Sequence, residues 1–115
     1  MFTKRKVRRY LAERRAAGTE TAFDRLLADW LCGGLAAVLC ESGMTVLELH
    51  IDWLKMYRCI EVVGRYEAYL IEIQIEPDSY AVAYDADEPD DAVTWPLESA
   101  EAFYAQIRRL LTQLD

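Results

Sequence analysis

Residues 66–84 read YEAYLIEIQIEPDSYAVAY. Tyr69, Ile71, Ile73 and Ile75 alternate there with Leu70, Glu72, Gln74 and Glu76. A period of two sends successive side chains to opposite faces of a sheet, so this stretch predicts a half-buried strand. Pro77-Asp78 then supplies turn chemistry, and Tyr80, Val82 and Tyr84 resume the alternation. Two strands joined this closely pair as an antiparallel hairpin.

The same period extends outward in both directions. Leu47, Leu49, Ile51 and Trp53 alternate with Glu48, His50 and Asp52. Residues 57–63 read as the next strand, with Gly64-Arg65 as its turn. Glu88-Pro89-Asp90-Asp91 reads as a further turn and residues 92–95 as a short last strand. No connection is long enough for a crossover helix, so residues 45–95 predict a four- to five-stranded antiparallel meander.

Helical periodicity flanks the strands. Phe23, Leu26, Leu27, Trp30, Leu31, Leu35, Val38 and Leu39 recur at helical spacing, which predicts a core helix over residues 19–42. Thr21 and Asp24 stand at the spacing of a capping box. Gly33-Gly34 interrupts the helix at a cost of about 1–2 kcal/mol, either to kink it or to let it approach the sheet. Phe103, Ile107, Leu110, Leu111 and Leu114 form one stripe of a C-terminal helix over 98–114. Residues 1–17 predict a basic helix whose apolar stripe is only Val7, Tyr10 and Leu11. It is expected to pack weakly or to project. The fold class is therefore α+β: two N-terminal helices, the meander, and a C-terminal helix on one face of the sheet, in a single domain of residues 1–115. Phe23, Leu27, Trp30 and Leu31 are expected to meet Phe103, Ile107 and Leu110, because each helix has one apolar stripe to bury.

Charge is the main functional clue. The net formal charge is −7. Seven basic residues against Glu13 alone give residues 1–15 a charge of +6, which leaves −13 for the rest. No Lys or Arg lies between Arg65 and Arg108, while eleven carboxylates do. An acidic body repels nucleic-acid phosphate and suits a basic partner, unless its charges serve only solubility. The candidate partner-binding residues are Glu72, Glu76, Asp78, Asp85, Asp87, Glu88, Asp90 and Asp91. Lys4, Arg5, Arg8, Arg9 and Arg15 are candidates for contact with nucleic acid or with another subunit.

Catalytic and metal-binding patterns are weak. Residues 85–91 crowd five carboxylates together, but without the glycine of a helix-loop-helix calcium loop they read as an acidic hairpin tip. His50 is the sole histidine and reads as a rim residue on an alternating strand. No nucleophile elbow surrounds a serine, and Gly33-Gly34 is not followed by the Lys-Ser/Thr of a phosphate loop. No metal, cofactor or catalytic residue is expected. The tyrosines of the strands alternate with carboxylates rather than lysines, which disfavours base stacking on the sheet.

Cys32, Cys40 and Cys59 are odd in number and sit among apolar residues, so buried, reduced thiols are expected, in a cytoplasmic setting. The apolar run from Leu26 to Cys40 is broken by Asp29 and two glycines and is too short to span a membrane. No secretory signal is expected, because no clean apolar segment follows the basic start.

Three functional expectations follow. The first is a non-enzymatic protein-binding module, an inhibitor or antidote whose carboxylates stand where phosphates would stand in a basic cleft of its partner. Small acidic proteins of phages and mobile elements, anti-CRISPR and nuclease-immunity proteins among them, share this character, by size and charge alone. The second is a structural or accessory homodimer with a merely solubilising surface. The third is an adaptor that touches nucleic acid through its basic helix.

Overall fold

The alternating segments pair as the sequence predicts. The computed structural model describes residues 4–54, 57–84 and 92–114. Helices α1 (Lys4–Ala16), α2 (Ala22–Leu31) and α3 (Gly34–Glu41) come first. Strands β1 (Thr45–Leu54), β2 (Tyr57–Tyr66), β3 (Tyr69–Ile75), β4 (Ser79–Tyr84) and β5 (Val93–Pro96) follow, and then α4 (Ala100–Gln113). Each strand pairs antiparallel with its sequence neighbour, giving one open sheet in the order β1-β2-β3-β4-β5.

One face of that sheet carries the core. Ile51, Ile60, Val62, Ile71, Ile73, Ile75, Tyr80 and Val82 are buried in a single cluster with Phe23, Leu26, Leu27, Leu35 and Leu39 from α2 and α3. Phe103, Ile107 and Leu111 of α4 join the same cluster, and Trp30, Leu31 and Leu110 pack against it, as their helical spacing predicts. The Phe103 ring meets Tyr80 edge-on, with centroids 4.9 Å apart. All four helices therefore lie on the same side of the sheet.

Three local features differ from the expectation. The helix predicted over 19–42 is two helices. Gly33 adopts φ +81, a left-handed conformation that breaks the helix after α2, and Gly34 begins α3. Gly64 is not a turn residue but lies within β2 opposite Val46. A Cβ there would sit 2.9 Å from both Cγ and Cε of Met44, so the missing side chain makes room for that methionine. The turn falls instead at Glu67-Ala68, with Glu67 at φ 53. Leu47 has no cross-strand partner because β1 carries a bulge between Val46 and Glu48. The extra residue shifts the alternation, so Met44 and Val46 share the core side with Leu49 and Ile51, while Leu47 remains 52% exposed.

Helix α1 is anchored more firmly than its narrow stripe suggests. Val7 is fully buried and Leu11 is 7% exposed. Tyr10 meets Trp53 of β1 edge-on at 5.1 Å. The Arg58 guanidinium lies 4.6 Å from the Tyr10 centroid and 4.5 Å from that of Trp53, so two aromatic rings hold one cation between helix and sheet. A projecting helix would make none of these contacts.

Asp24 ties α1 to α2. Its carboxylate accepts from the Thr21 backbone N–H at 3.0 Å while its own N–H donates to Thr21 Oγ1 at 3.2 Å, the reciprocal capping box. The same oxygen accepts from Arg14 Nε at 3.0 Å. Burial alone would raise the Asp24 pKa. The Thr21 N–H, the Tyr10 hydroxyl and Arg14 outweigh it and hold the carboxyl below its ordinary value. A depressed folded pKa means that this stabilisation is complete above the unfolded value and is lost as pH falls through the folded one. Asp24→Asn should cost about 1–3 kcal/mol near neutral pH. Urea melts across the acid range should show wild type losing this advantage below the ordinary carboxylate value of 3.8, with the two proteins converging there. A constant difference at all pH values would remove Asp24 from the acid response.

The open acidic face

Among the described residues no helix lies over the second face of the sheet, and register defines what it presents. In one row across the strands stand Glu48, Val63, Glu72 and Ala83. In the next stand His50, Glu61, Gln74, Ala81 and Thr94. Asp52 and Cys59 pair in a third row, and Glu76 follows β3 on the same side. Neighbouring strands are about 4.8 Å apart, so Glu48 and Glu72 flank Val63 with roughly 10 Å between their backbones. Arg65, near the far end of β2, is the one basic residue other than His50 that register places on this face among the described residues.

Glu48, His50, Glu61, Val63, Glu72, Gln74 and the small residues Ala81, Ala83 and Ala92 line a shallow concavity of about 530 Å³. The alanines of β4 leave its floor low, and the glutamates of β1, β2 and β3 raise an acidic rim. His50 Nε2 lies 2.6 Å from Glu61 Oε2, an ion pair whenever the imidazole is protonated. The ligating atoms of His50, Asp52 and Glu61 all fall within 4.8 Å of one another. Among the described residues this trio is where a cation would find an imidazole and two carboxylates together.

Beside the concavity, Tyr57 shields Cys59. The Tyr57 hydroxyl accepts from Gln74 Nε2 at 2.7 Å and stands 3.5 Å from Glu76 Oε1. It also reaches the Cys59 sulfur, and that hydrogen bond, with burial second, pushes the phenol pKa up to about 12. Burial in turn holds the Cys59 thiol above its usual range, against the Tyr57 and Gln74 hydrogen bonds that favour thiolate. Cys59 is thus buried as expected, whereas Cys32 and Cys40 are exposed. Cys32 caps the end of α2, and Leu39 rather than Cys40 faces the core from α3.

The expected partner-binding residues divide into three groups. Glu72 is exposed on the open face, and Glu76 is half-buried at its border. Asp78 is exposed in the β3–β4 turn, where its carbonyl accepts from Leu97 N at 2.9 Å. Asp85, Asp87, Glu88, Asp90 and Asp91 lie outside the described residues. Glu48, Asp52 and Glu61 belong to the face although sequence reasoning did not select them. Their signal was the polar half of each alternating strand, which becomes a site only once register sets the strands side by side.

The basic residues lie on the opposite side. Lys4, Arg5, Arg8, Arg9 and Arg15 are exposed on α1, which packs on the helix layer. Lys4 sits 5.8 Å from the Trp30 centroid, and Arg15 pairs with Glu20 at 3.3 Å. The polarity of the sequence is therefore a polarity across the sheet, basic on one side and acidic on the other.

No known family model, curated protein or solved structure matches the chain. Among the described residues no helix is long and apolar enough to cross a membrane. The fold and the face together define an α+β chain whose open sheet carries an acidic face that no helix among the described residues covers.

Tyr57→Ala should expose Cys59 without unfolding the protein, because Tyr57 is 38% exposed and outside the core. In mass-resolved alkylation, wild type should label rapidly at Cys32 and Cys40 and slowly at Cys59. The variant should label all three at comparable rates. Unchanged protection of Cys59 would mean that the strands rather than the tyrosine shield it.

Proposed function

We propose that the chain is a non-enzymatic protein-binding module, an inhibitor whose open acidic face occupies a basic, nucleic-acid-binding cleft of a partner. The observation that carries this reading is the register of Glu48, Glu61 and Glu72 on three adjacent strands that no helix among the described residues covers. Opposite the arginines and lysines of such a cleft, these carboxylates stand where phosphates would stand. Sheet packing keeps their backbones in fixed positions, so little order is lost on docking. The acidic residues of segment 85–91 add charge at the β4–β5 connection.

Exposure supports binding over catalysis. Carboxylates that do acid–base chemistry work from desolvated surroundings that shift their titration. Glu48 and Glu72 are exposed on an open surface. Each exposed pair contributes only about 0.2–1 kcal/mol, so several must act together, as one continuous face allows. Complementary charge of this kind raises association rate and specificity more than it slows dissociation.

The test is capture of a partner on immobilised protein, followed by elution with nucleic acid. A captured protein should be released by excess double-stranded oligonucleotide and by salt, since the two compete for one cleft. The triple variant Glu48→Gln, Glu61→Gln, Glu72→Gln should capture at least tenfold less while keeping its wild-type melting curve. Retention of the partner through both oligonucleotide and salt, with equal capture by the variant, would overturn the reading.

A further inference from the structure

We infer that the acidic face of one copy binds the outward arginine face of α1 in a second copy, head to tail. This goes beyond the proposed function, because it requires no outside partner.

The occupant is chosen by charge and shape together. Val7 and Leu11 fix the inward side of α1. At 3.6 residues per turn, Arg5, Arg9, Ala12, Glu13 and Ala16 then share the outward side, with Arg8 at its flank, and all six are exposed. Three other cations of the helix are already engaged: Arg14 with Asp24, Arg15 with Glu20, and Lys4 over Trp30. Arg5, Arg8 and Arg9 have no ion pair among the described residues. What remains outward is three guanidinium groups and the single carboxylate of Glu13 beside two alanines, a surface that stays net basic.

The concavity is the counterpart of that surface. Its floor is Val63, Ala81 and Ala83, and its rim is Glu48, Glu61 and Glu72. Small residues on both sides let a helix backbone come close. Arginine stems then cover the apolar floor while their forked heads reach the rim carboxylates, the geometry that suits guanidinium better than ammonium. Lengths agree as well. The thirteen residues of α1 extend about 20 Å, and the strands from β1 to β4 span roughly 14 Å, so one helix crosses the whole concavity.

Geometry excludes the simpler pairings. The arginine face and the acidic face lie on opposite sides of one sheet, so a single chain cannot close them on each other. A two-fold dimer cannot join both pairs at once for the same reason. The contact is heterologous: each copy offers one donor face and one acceptor face, and the assembly grows by head-to-tail addition of copies. It rests on exposed charge, so it is weak and yields to salt.

Two variants decide the matter by complementation. One carries Arg5→Gln, Arg8→Gln and Arg9→Gln and keeps only the acidic face. The other carries Glu48→Gln, Glu61→Gln and Glu72→Gln and keeps only the basic face. Sedimentation velocity at about 50 mM and about 500 mM salt reads the mass of each, on protein stripped of nucleic acid. Wild type should grow with concentration at low salt and return to the 13.3 kDa monomer at high salt. Each variant alone should remain monomeric. Their mixture should form a one-to-one pair of twice the monomer mass and no larger, because each copy then has one working face. Wild type that stays monomeric at every concentration would overturn the inference. So would a variant that self-associates alone, or a mixture that fails to pair. Should either glutamine variant melt below wild type, the charge-swapped pair, Arg→Glu on the helix and Glu→Lys on the face, repeats the test with the same expectation. Capture of an outside partner is read separately, so failure here leaves the proposed function standing, and the reverse also holds.

Discussion

Four short helices carry enough apolar surface to cover one face of a five-stranded sheet, and the rest of the molecule follows from that limit. Phe23, Leu26, Leu27, Leu35, Leu39, Phe103, Ile107 and Leu111 all spend their burial on the same side. The opposite side must therefore be compatible with water. It is so through the polar half of β1, β2 and β3: Glu48, His50 and Asp52, Glu61, Glu72 and Gln74. An antiparallel meander tolerates this asymmetry, since its ladder needs only one packed face. The acidic face is thus both a requirement of the architecture and the surface most available to a partner.

The helix layer is held by a few specific polar contacts on top of apolar burial. Asp24 caps α2 and pairs with Arg14 through one carboxylate oxygen, so the end of α1 and the start of α2 share an anchor. Arg58 reaches the same layer from β2, and its guanidinium lies against both the Tyr10 and the Trp53 rings. Its Nε is buried and has no hydrogen-bond partner among the described residues, and the two rings lie beside it. These contacts keep a strongly basic helix folded down on the domain. They also keep positive charge off the open face, which strengthens the field that the carboxylates present.

Much of the architecture was legible because period two and period 3.6 do not resemble one another. The run from Tyr69 to Ile75 could be little else than a strand, and the Phe103-Ile107-Leu111 stripe little else than a helix. What was not legible depends on through-space partners. Gly64 reads as a turn until Met44 is seen filling the space beside it. Leu47 reads as core because a bulge leaves no mark in a two-residue alternation. Val7 and Leu11 look too few to anchor a helix until the Tyr10, Trp53 and Arg58 stack is added. The candidate site behaves likewise. Acidity between Arg65 and Arg108 is visible as composition, but Glu48 and Glu61 lie outside that interval and join Glu72 only through strand register.

The central claim is that the open face, and not the helix layer, receives a basic partner. Methyl resonances test it most directly, because valine and alanine side chains point to known sides of the sheet. A synthetic arginine-rich helical peptide titrated into methyl-labelled protein should shift Val63, Ala81 and Ala83, whose side chains face the concavity. Val82, Ile75 and Leu27, buried on the opposite side, should stay in place, and the shifts should vanish at high salt. Shifts concentrated on the helix layer, or a peptide that leaves Val63, Ala81 and Ala83 unmoved at low salt, would contradict the account.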